Sequence, residues 1–528
     1  MNGLQRWLGW GMLCFVWVTL VDGFGEERRD EDAFVQQRRQ LRHKTRRVIF
    51  NNDGCDCLYF PKNLDITEEN FLLQRTSPLV DTHVDSIFYC TISSGFSNFT
   101  HRTERGHILT RQVAEDLDVK EKINITQTLV DQGTDVLSWV VRWCHEHDKE
   151  CFWSFRMNDT HDAAHKPEKP YPLFPSLKEE HPEYMIGELG RRPPYGSWTS
   201  VNYGLSEVRD LAVQFIEEVC ANYDVDGIEM DFCRHLSYFP SVAFGQEATD
   251  EERNLMTDMM RQVREVCEAH GRKRERPFLI AVRVPDSLEY SKAVGLDLEM
   301  WMREDLIDLL IGGFYMRLNP WESLVQAGKR HDMAVYAGLS ESRVKGDIPP
   351  FSRNSEESYR GRAHRAWEAG VDGIYLFNYF NPKAGFLREI GEPSVLDPLA
   401  KIYYATVRNR NPNSYLKGGD RFLNVAMITP QNPLHMVAGQ VQKVDLYVGK
   451  ISRPERGGTR EVKLYVCASG EAEFGVAWNG TSLDVPVKED AWLVYPMDPL
   501  MIHPGKNQME FRSETGPTTL HDLLLRVK

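Results

Sequence analysis

The stretch YDVDGIEMDFCRH, residues 223–235, decides the fold of this chain. A short apolar run opens after Asp-Gly, and Glu229, Asp231 and Cys233 alternate onto one of its faces by the period-two rule for strands. Carboxylates rarely face a packed interior unless they have an ion-pair partner or a functional role. The stretch therefore predicts a buried strand that carries acids toward its carboxyl end.

The same alternation of short apolar runs and amphipathic helical segments repeats along most of the chain. Eight runs bounded by turn residues predict strands at 46–52, 85–92, 151–157, 226–232, 278–284, 308–316, 333–339 and 372–380. The clearest helical segments between them are 124–148, 206–223, 249–270 and 355–370. Eight such repeats predict an α/β fold, a closed (β/α)₈ TIM barrel. The second strand could instead begin at Leu79, which would place His83 and Asp85 inside the barrel or at its lip.

The pattern changes after the eighth repeat. We expect a helix at 395–408, the polar linker RNRNPNS, and then alternating short runs without a strong helix. The chain therefore divides into a barrel at 46–410 and a C-terminal all-β sandwich at 411–528. Within the second part, IHPGKNQMEFRS resembles the closing strands of jelly-roll modules, which either bind carbohydrate or pack on a barrel.

The first 25 residues have the composition of an export signal. Arg6 supplies positive charge, and the apolar run at 7–20 is shorter than the roughly 20 residues that cross a bilayer. We expect a cleaved signal peptide at 1–25, a secreted or cell-envelope location and no stable membrane insertion, with a permanent anchor as the alternative. Residues 26–45 are charged and predict a solvated linker or an exposed helix.

Composition narrows the class of ligand. A formal net charge of −14 argues against nucleic acid as a partner, because nucleic-acid binding needs clustered Lys and Arg. Twelve Trp, 20 Tyr and 25 Phe provide flat faces on which sugar rings could stack, which favours a carbohydrate substrate. No CxxC pair occurs among the ten cysteines, so zinc-ribbon spacing is absent, while one or two disulfides are compatible with export. We expect no metal and no cofactor.

The fourth strand resembles three groups of sugar-cleaving barrels. DGIEMDF followed by Cys233 is similar to the DGxDxDxE signature of chitinase-like barrels, although Cys233 stands where that family carries its acid glutamate. It also resembles the α-galactosidase clan, whose fourth strand ends in an aspartate nucleophile followed two positions later by cysteine. The broadest resemblance, over 46–405, is to glycosyl-hydrolase-like family 10 barrels with their DGI-x-x-D strand. All three resemblances imply an acid at Asp231.

Barrel enzymes place their catalytic groups at the carboxyl ends of the strands, which makes Asp231 the first catalytic candidate. An arginine within about 4–6 Å keeps a carboxylate ionised, as a nucleophile or base requires. Arg283 on the adjacent strand is the natural provider, and the alternative is that the pair only satisfies the barrel interior. Asn52 and Asp53 follow the first strand. Substrate contacts are expected from Asp85, Arg156, Arg283, Tyr315 and Asn378.

Glycoside hydrolysis usually needs a second carboxyl group across the scissile bond. Glu341, which follows the seventh strand, ranks first for this role, Glu229 second and Asp286 third, and each could equally be a structural acid. We therefore predict a secreted glycoside hydrolase that cleaves O-glycosidic bonds of an extracellular poly- or oligosaccharide by carboxylate catalysis. One alternative is a catalytically silent barrel that binds glycans. The other is a metal-dependent hydrolase that uses His83, Asp85 and Asp231.

Overall fold

The computed structural model describes residues 33–91, 95–452, 460–470 and 474–528. The predicted signal peptide at 1–25 lies outside the described residues. Within those residues, no helix combines the length and apolar character that crossing a membrane requires. Strands of three or more residues and helices of six or more, apart from the N-terminal helix at 33–42, are numbered below in chain order.

Eight parallel strands close into a barrel, which confirms the predicted fold class. Each strand overlaps one of the eight predicted runs, and the last strand pairs with the first. The strands are β1 (Val48–Asn52), β2 (Val84–Cys90), β3 (Glu150–Arg156), β4 (Gly227–Asp231), β5 (Leu279–Val284), β6 (Leu309–Gly312), β7 (Ala334–Ser340) and β8 (Gly373–Phe377).

Helices surround the barrel. They are α1 (Glu68–Arg75), α2 (Thr126–Asp131), α3 (Val136–Glu146), α4 (Ser206–Asn222), α5 (Asp250–Lys273), α6 (Leu288–Ala293), α7 (Leu298–Arg303), α8 (Trp321–Arg330) and α9 (Glu356–Glu368). Shorter helices are Cys55–Leu58, Val113–Asp116, Ser176–Glu180, Pro240–Ala243 and Pro393–Leu396. The single helix predicted at 124–148 is two, because Gly133 takes a positive φ of 74° and the Asp135 side chain then caps α3.

The barrel interior is filled in layers of inward-facing side chains. Lowest is an apolar layer in which Phe88 and Phe152 stack with their ring centroids 4.3 Å apart. A polar layer that contains Glu229 lies above it. At the carboxyl ends, Arg156, Asp231 and Arg283 stand side by side in register on β3, β4 and β5. The alternation predicted for β4 is therefore present in the fold.

An N-terminal helix at 33–42 closes the other end of the barrel. Its Leu41 packs against the interior apolar cluster, and its Arg38 and Arg42 are each only 2 % exposed. Both arginines form ion pairs with Asp308, which directly precedes β6. The segment predicted as a solvated linker or an exposed helix is thus helical here and exposed on one side, while Arg38 and Arg42 are buried because carboxylates distant in sequence neutralise their charges.

The C-terminal part consists of two antiparallel sheets, as predicted. The larger sheet contains β9 (Lys401–Tyr404), β10 (Leu434–Met436), β12 (Val462–Gly470), β14 (Val487–Glu489), β15 (Trp492–Met497) and β17 (Thr518–Val527). The smaller contains β11 (Val441–Val448), β13 (Phe474–Trp478), β16 (Gly505–Ser513) and the two-residue strand Thr481–Ser482.

The helix predicted at 395–408 is wrong over most of its length. Only Pro393–Leu396 is helical, and Lys401–Tyr404 is the strand β9. The aromatic pair of its KIYY sequence favours an extended conformation, and β9 pairs antiparallel with β17, the last strand of the chain. The larger sheet therefore takes one strand from the range assigned to the barrel.

Candidate active site

A cavity of about 290 Å³ opens at the carboxyl ends of the barrel strands. Five of the residues singled out from the sequence line it, namely Asp53, Arg156, Tyr315, Glu341 and Asn378. Five aromatic rings contribute to the same wall, those of Tyr59, Tyr171, Tyr315, Phe377 and Phe380. Flat rings beside charged groups form a surface that can hold a sugar by stacking and hydrogen bonding. We call this cavity the mouth pocket.

Asp231 and Arg283 lie one layer below the mouth pocket. An Arg283 Nη donates to an Asp231 carboxylate oxygen over 2.8 Å, and the backbone N–H of Cys233 donates to the same oxygen over 2.9 Å. The guanidinium of Arg283 lies 3.5 Å from the ring centroid of Phe377, a residue of the pocket wall. Asp231 itself is 1 % exposed. The pair predicted on adjacent strands is present, at the pocket end of the barrel.

Glu229 lies deeper in the barrel, two residues before Asp231. The Tyr375 hydroxyl donates to one of its carboxylate oxygens over 2.5 Å, and the Asn51 amide donates to the other over 3.3 Å. Burial raises the pKa of Glu229 to about 7, and the negative charge of Asp231 adds to the effect. One strand thus holds one carboxylate in an ion pair and another that carries a proton near neutral pH.

Replacing Glu229 with Gln is expected to flatten the dependence of stability on pH. Because the folded pKa of about 7 exceeds the ordinary 4.5, the folded chain holds the proton more tightly, and stability falls as pH rises between these values. That loss amounts to roughly 3 kcal/mol. Urea unfolding at pH 5 and pH 8 should show it in the wild type and in Glu265→Gln, an exposed control on α5, but not in Glu229→Gln. An unchanged pH dependence in Glu229→Gln would contradict this assignment.

Asp159, after β3, organises the floor of the mouth pocket and was not singled out from the sequence. Its carboxylate accepts from Arg156 over 2.9 Å and from Arg234 over 3.3 Å, and lies 2.6 Å from the Nδ1 of His161. Burial alone would raise the pKa of Asp159, but these three neighbours hold it well below the usual range. Arg234 donates in turn to the Tyr315 hydroxyl over 2.8 Å. The polar run Asn-Asp-Thr-His at 158–161, directly after β3, is the sequence feature that could have indicated Asp159.

Two carboxylates, Asp53 and Glu341, line the mouth pocket directly. An Arg75 Nη lies 2.8 Å from an Asp53 oxygen. Burial would raise the pKa of Asp53, but Arg75 and Arg156 outweigh it and keep the group ionised. Glu341 is exposed, and no ion pair or side-chain hydrogen bond engages its carboxylate in the part of the chain that the structure describes. Glu341 can therefore reach a bound molecule without breaking an internal contact.

Asp85 lies at the opposite end of the barrel. Because β2 begins at Val84, Asp85 is near the amino end of the strand, where it forms an ion pair of 2.7 Å with Arg47. It cannot contact a ligand in the mouth pocket, so its predicted role in substrate binding is not retained. His83 precedes the same strand and cannot share an ion with Asp231. Across the described residues, no group of three or more His, Cys, Asp or Glu could hold a metal.

Asp286, ranked third as the second catalytic carboxyl, lies outside the lining of the mouth pocket. It accepts from the Arg317 Nε over 2.8 Å and from the Leu318 backbone N–H over 3.0 Å. These contacts hold the loop after β6. The structure therefore brings Glu341, Asp231 and Glu229 to one end of the barrel, at three different depths. Asp286 instead stabilises the loop after β6.

Comparison with known proteins gives a short sequence match. No protein-family model matches the chain. Over 124 residues it is 27 % identical to the glycosyl hydrolase YngK of Bacillus subtilis (strain 168), a match that covers 23 % of this chain and 21 % of that protein. The match thus spans about a fifth of that relative's length. The resemblance to glycosyl-hydrolase-like family 10 stays a prediction.

Comparison with solved structures gives matches of low identity and low TM-score. The PgaB (BpsB) glycoside hydrolase domain of Bordetella bronchiseptica has a TM-score of 0.43 and 11 % identity, over 66 % of this chain and 99 % of that one. The GH36 α-galactosidase AgaA of Geobacillus stearothermophilus has a TM-score of 0.36 and 11 % identity, over 91 % of this chain and 56 % of that one. This chain is thus similar, at low identity, to proteins named as glycoside hydrolases.

Proposed function

We propose that this chain is a glycoside hydrolase that cleaves a poly- or oligosaccharide in the mouth pocket. The observation that carries the proposal is the position of Asp231 at the end of β4, ion-paired with Arg283 and in register with Arg156 of the pocket wall. The pair places a carboxylate beside a guanidinium group where barrel enzymes perform their chemistry. The short match to a protein named as a glycosyl hydrolase supports the same reaction class.

In this proposal Asp231 acts as the nucleophile or base, and Glu341 donates the proton to the leaving oxygen. Glu341 is suited to this role because it is exposed in the pocket wall. Asp231 is 1 % exposed, so a sugar reaches it only when neighbouring side chains move aside. Glu229 holds a proton beneath Asp231 and is the reserve candidate for the acid.

The burial of Asp231 also favours a second candidate function, a catalytically silent barrel that binds glycans. Both candidates place a glycan in the mouth pocket and differ only in whether a bond is cleaved. We also retain the prediction that the chain is exported. N-terminal sequencing of protein recovered outside the cell should find a start near residues 24–26.

A panel of plant and algal polysaccharides tests the proposal. We expect new reducing ends from at least one of them, and we expect Glu341→Gln to lower that rate by roughly 10²–10⁴-fold, the usual contribution of a general acid. Binding of the polysaccharide should persist. Glu265→Gln, on the outer helix α5, is the matched control and should retain the wild-type rate. Binding without any new reducing ends would favour the silent barrel.

A further inference from the structure

A second cavity, of about 100 Å³, lies outside the barrel wall. It lies where α9, the segment after β9 and strand β11 meet, and we call it the junction cavity. Four arginines line it, namely Arg317, Arg362, Arg365 and Arg408. None of the four was predicted to be functional, and the proposed hydrolysis uses none of them.

The charges of these four arginines are only half compensated. Arg317 forms an ion pair of 2.8 Å with Asp286, and Arg365 pairs with Glu322. Asp445 also lines the cavity but pairs with Lys506 over 2.7 Å. Throughout the described residues, Arg362 and Arg408 have no carboxylate within ion-pair distance, although they are 8 % and 4 % exposed. Two buried cations are left without a counter-charge.

Arg362 and Arg408 instead donate to backbone carbonyls. An Arg362 Nη donates to the Ser340 oxygen over 2.7 Å, and an Arg408 Nη donates to the Gly338 oxygen over 2.8 Å. Both carbonyls belong to β7. Burial lowers the pKa of both guanidinium groups; neighbouring arginines lower that of Arg408 further, whereas the Tyr359 hydroxyl offsets part of the effect at Arg362. The two groups are thus positioned by the barrel and lack a negative partner.

Several of their N–H groups have no acceptor. On these arginines, the buried nitrogens for which the described residues provide no acceptor are Arg362 Nε and Nη1, Arg365 Nε and Nη1, and Arg408 Nε. Buried donors without acceptors are rare in folded proteins, because each costs its full desolvation penalty. Water could accept these hydrogen bonds but could not balance the two positive charges.

We propose that the junction cavity binds one small tetrahedral oxyanion, inorganic sulfate or phosphate. Planar guanidinium groups present paired N–H donors that match the oxygens of such an ion, and a dianion balances Arg362 and Arg408 together. The cavity of about 100 Å³ is below the roughly 300 Å³ at which pockets for larger organic ligands begin. The bound ion would join β7 and α9 to the C-terminal sheets.

Equilibrium dialysis of the full chain against radiolabelled sulfate, and separately phosphate, tests this site in chloride buffer of constant ionic strength. We expect one ion per chain, bound saturably, and a matching rise of Tm. Arg362→Gln should weaken binding at least tenfold and abolish that rise. Arg343→Gln, which removes an exposed arginine from the mouth pocket, is the matched control and should bind as the wild type does.

Each other outcome overturns the site. Sulfate stabilises many proteins by exclusion from their surfaces, so a rise of Tm without stoichiometric binding would show that general effect alone. Loss of binding in Arg343→Gln but not in Arg362→Gln would place the ion in the mouth pocket. If circular dichroism shows that Arg362→Gln does not fold, Arg365→Gln takes its place with the same expected weakening. If Arg365→Gln then bound the ion as tightly as the wild type does, this result would contradict the proposal.

Discussion

Asp231→Asn is expected to lower turnover by more than about 10³-fold and the free energy of unfolding by about 3–5 kcal/mol. Turnover falls because the amide lacks the charge that the nucleophile or base must carry. Stability falls because Arg283, which is 2 % exposed, loses the carboxylate that it contacts over 2.8 Å. The amide oxygen can still accept from the Cys233 N–H. The fold should therefore persist.

A double variant separates these two effects. Asp231→Asn combined with Arg283→Gln removes both charges of the pair, and such removal restores much of the stability lost when one partner alone is removed. If Asp231 takes part in the reaction, the double variant regains stability but not activity. If Asp231 only neutralises the barrel interior, activity returns together with stability.

Stability and turnover should be measured on the same protein preparations. Urea unfolding gives the stability of the wild type, the two single variants and the double variant, and release of reducing ends gives the rates. Arg283→Gln alone reports whether the arginine is needed for turnover in its own right. Normal turnover in a destabilised Asp231→Asn protein would remove Asp231 from the mechanism and leave the reaction to another carboxylate.

Asp308→Asn is expected to destabilise the protein by about 3–5 kcal/mol and to release the N-terminal helix at 33–42. Asp308 is fully buried and contacts Arg38 and Arg264 over 2.7 Å each and Arg42 over 3.3 Å. Burial opposes its charge, but the three arginines hold its pKa far below the ordinary value. Because the folded pKa is depressed, this stabilisation is present at neutral pH and is lost only in strong acid.

Asp305→Asn provides the matched control for this prediction. Asp305 contacts Arg38 and Arg42 as well, but its side chain is 23 % exposed, so water replaces part of what the charge supplies. We expect the smaller loss of stability for Asp305→Asn and faster tryptic cleavage after the buried Arg38 and Arg42 only in Asp308→Asn. Equal losses in the two variants would show that the helix is not held through Asp308.

The barrel could be predicted because its strands are buried along their whole length. Runs such as Val-Ile-Phe in β1 and Leu-Ile-Ala-Val in β5 carry the signal locally, whatever their partners are. The burial of Arg38 and Arg42 on the N-terminal helix could not be predicted in this way. From the sequence alone, Arg38 is expected to be solvated, because its partner Asp308 lies 270 residues away in the chain. Burial of a charge depends on its partner, and no local pattern identifies that partner.

The same distinction holds at the candidate site. Strand alternation predicted that Asp231 and Arg283 would face each other, because neighbouring strands of a barrel keep a common register. The links of Asp159 to Arg234 and His161 join loops after two different strands, whose paths depend on packing rather than periodicity. Asp85 was misplaced because its position depends on where β2 begins.

The pairing of β9 with β17 also determines how long β9 stays unpaired while the chain is translated. Strand β9 emerges from the ribosome about 120 residues before its partner β17. At about 5–20 residues per second, it remains an unpaired edge for roughly 5–25 s. Such edges are templates for association with other chains. The nascent protein is therefore most exposed to aggregation while its C-terminal sheets are made, and slower translation of that part should lower the yield of folded protein.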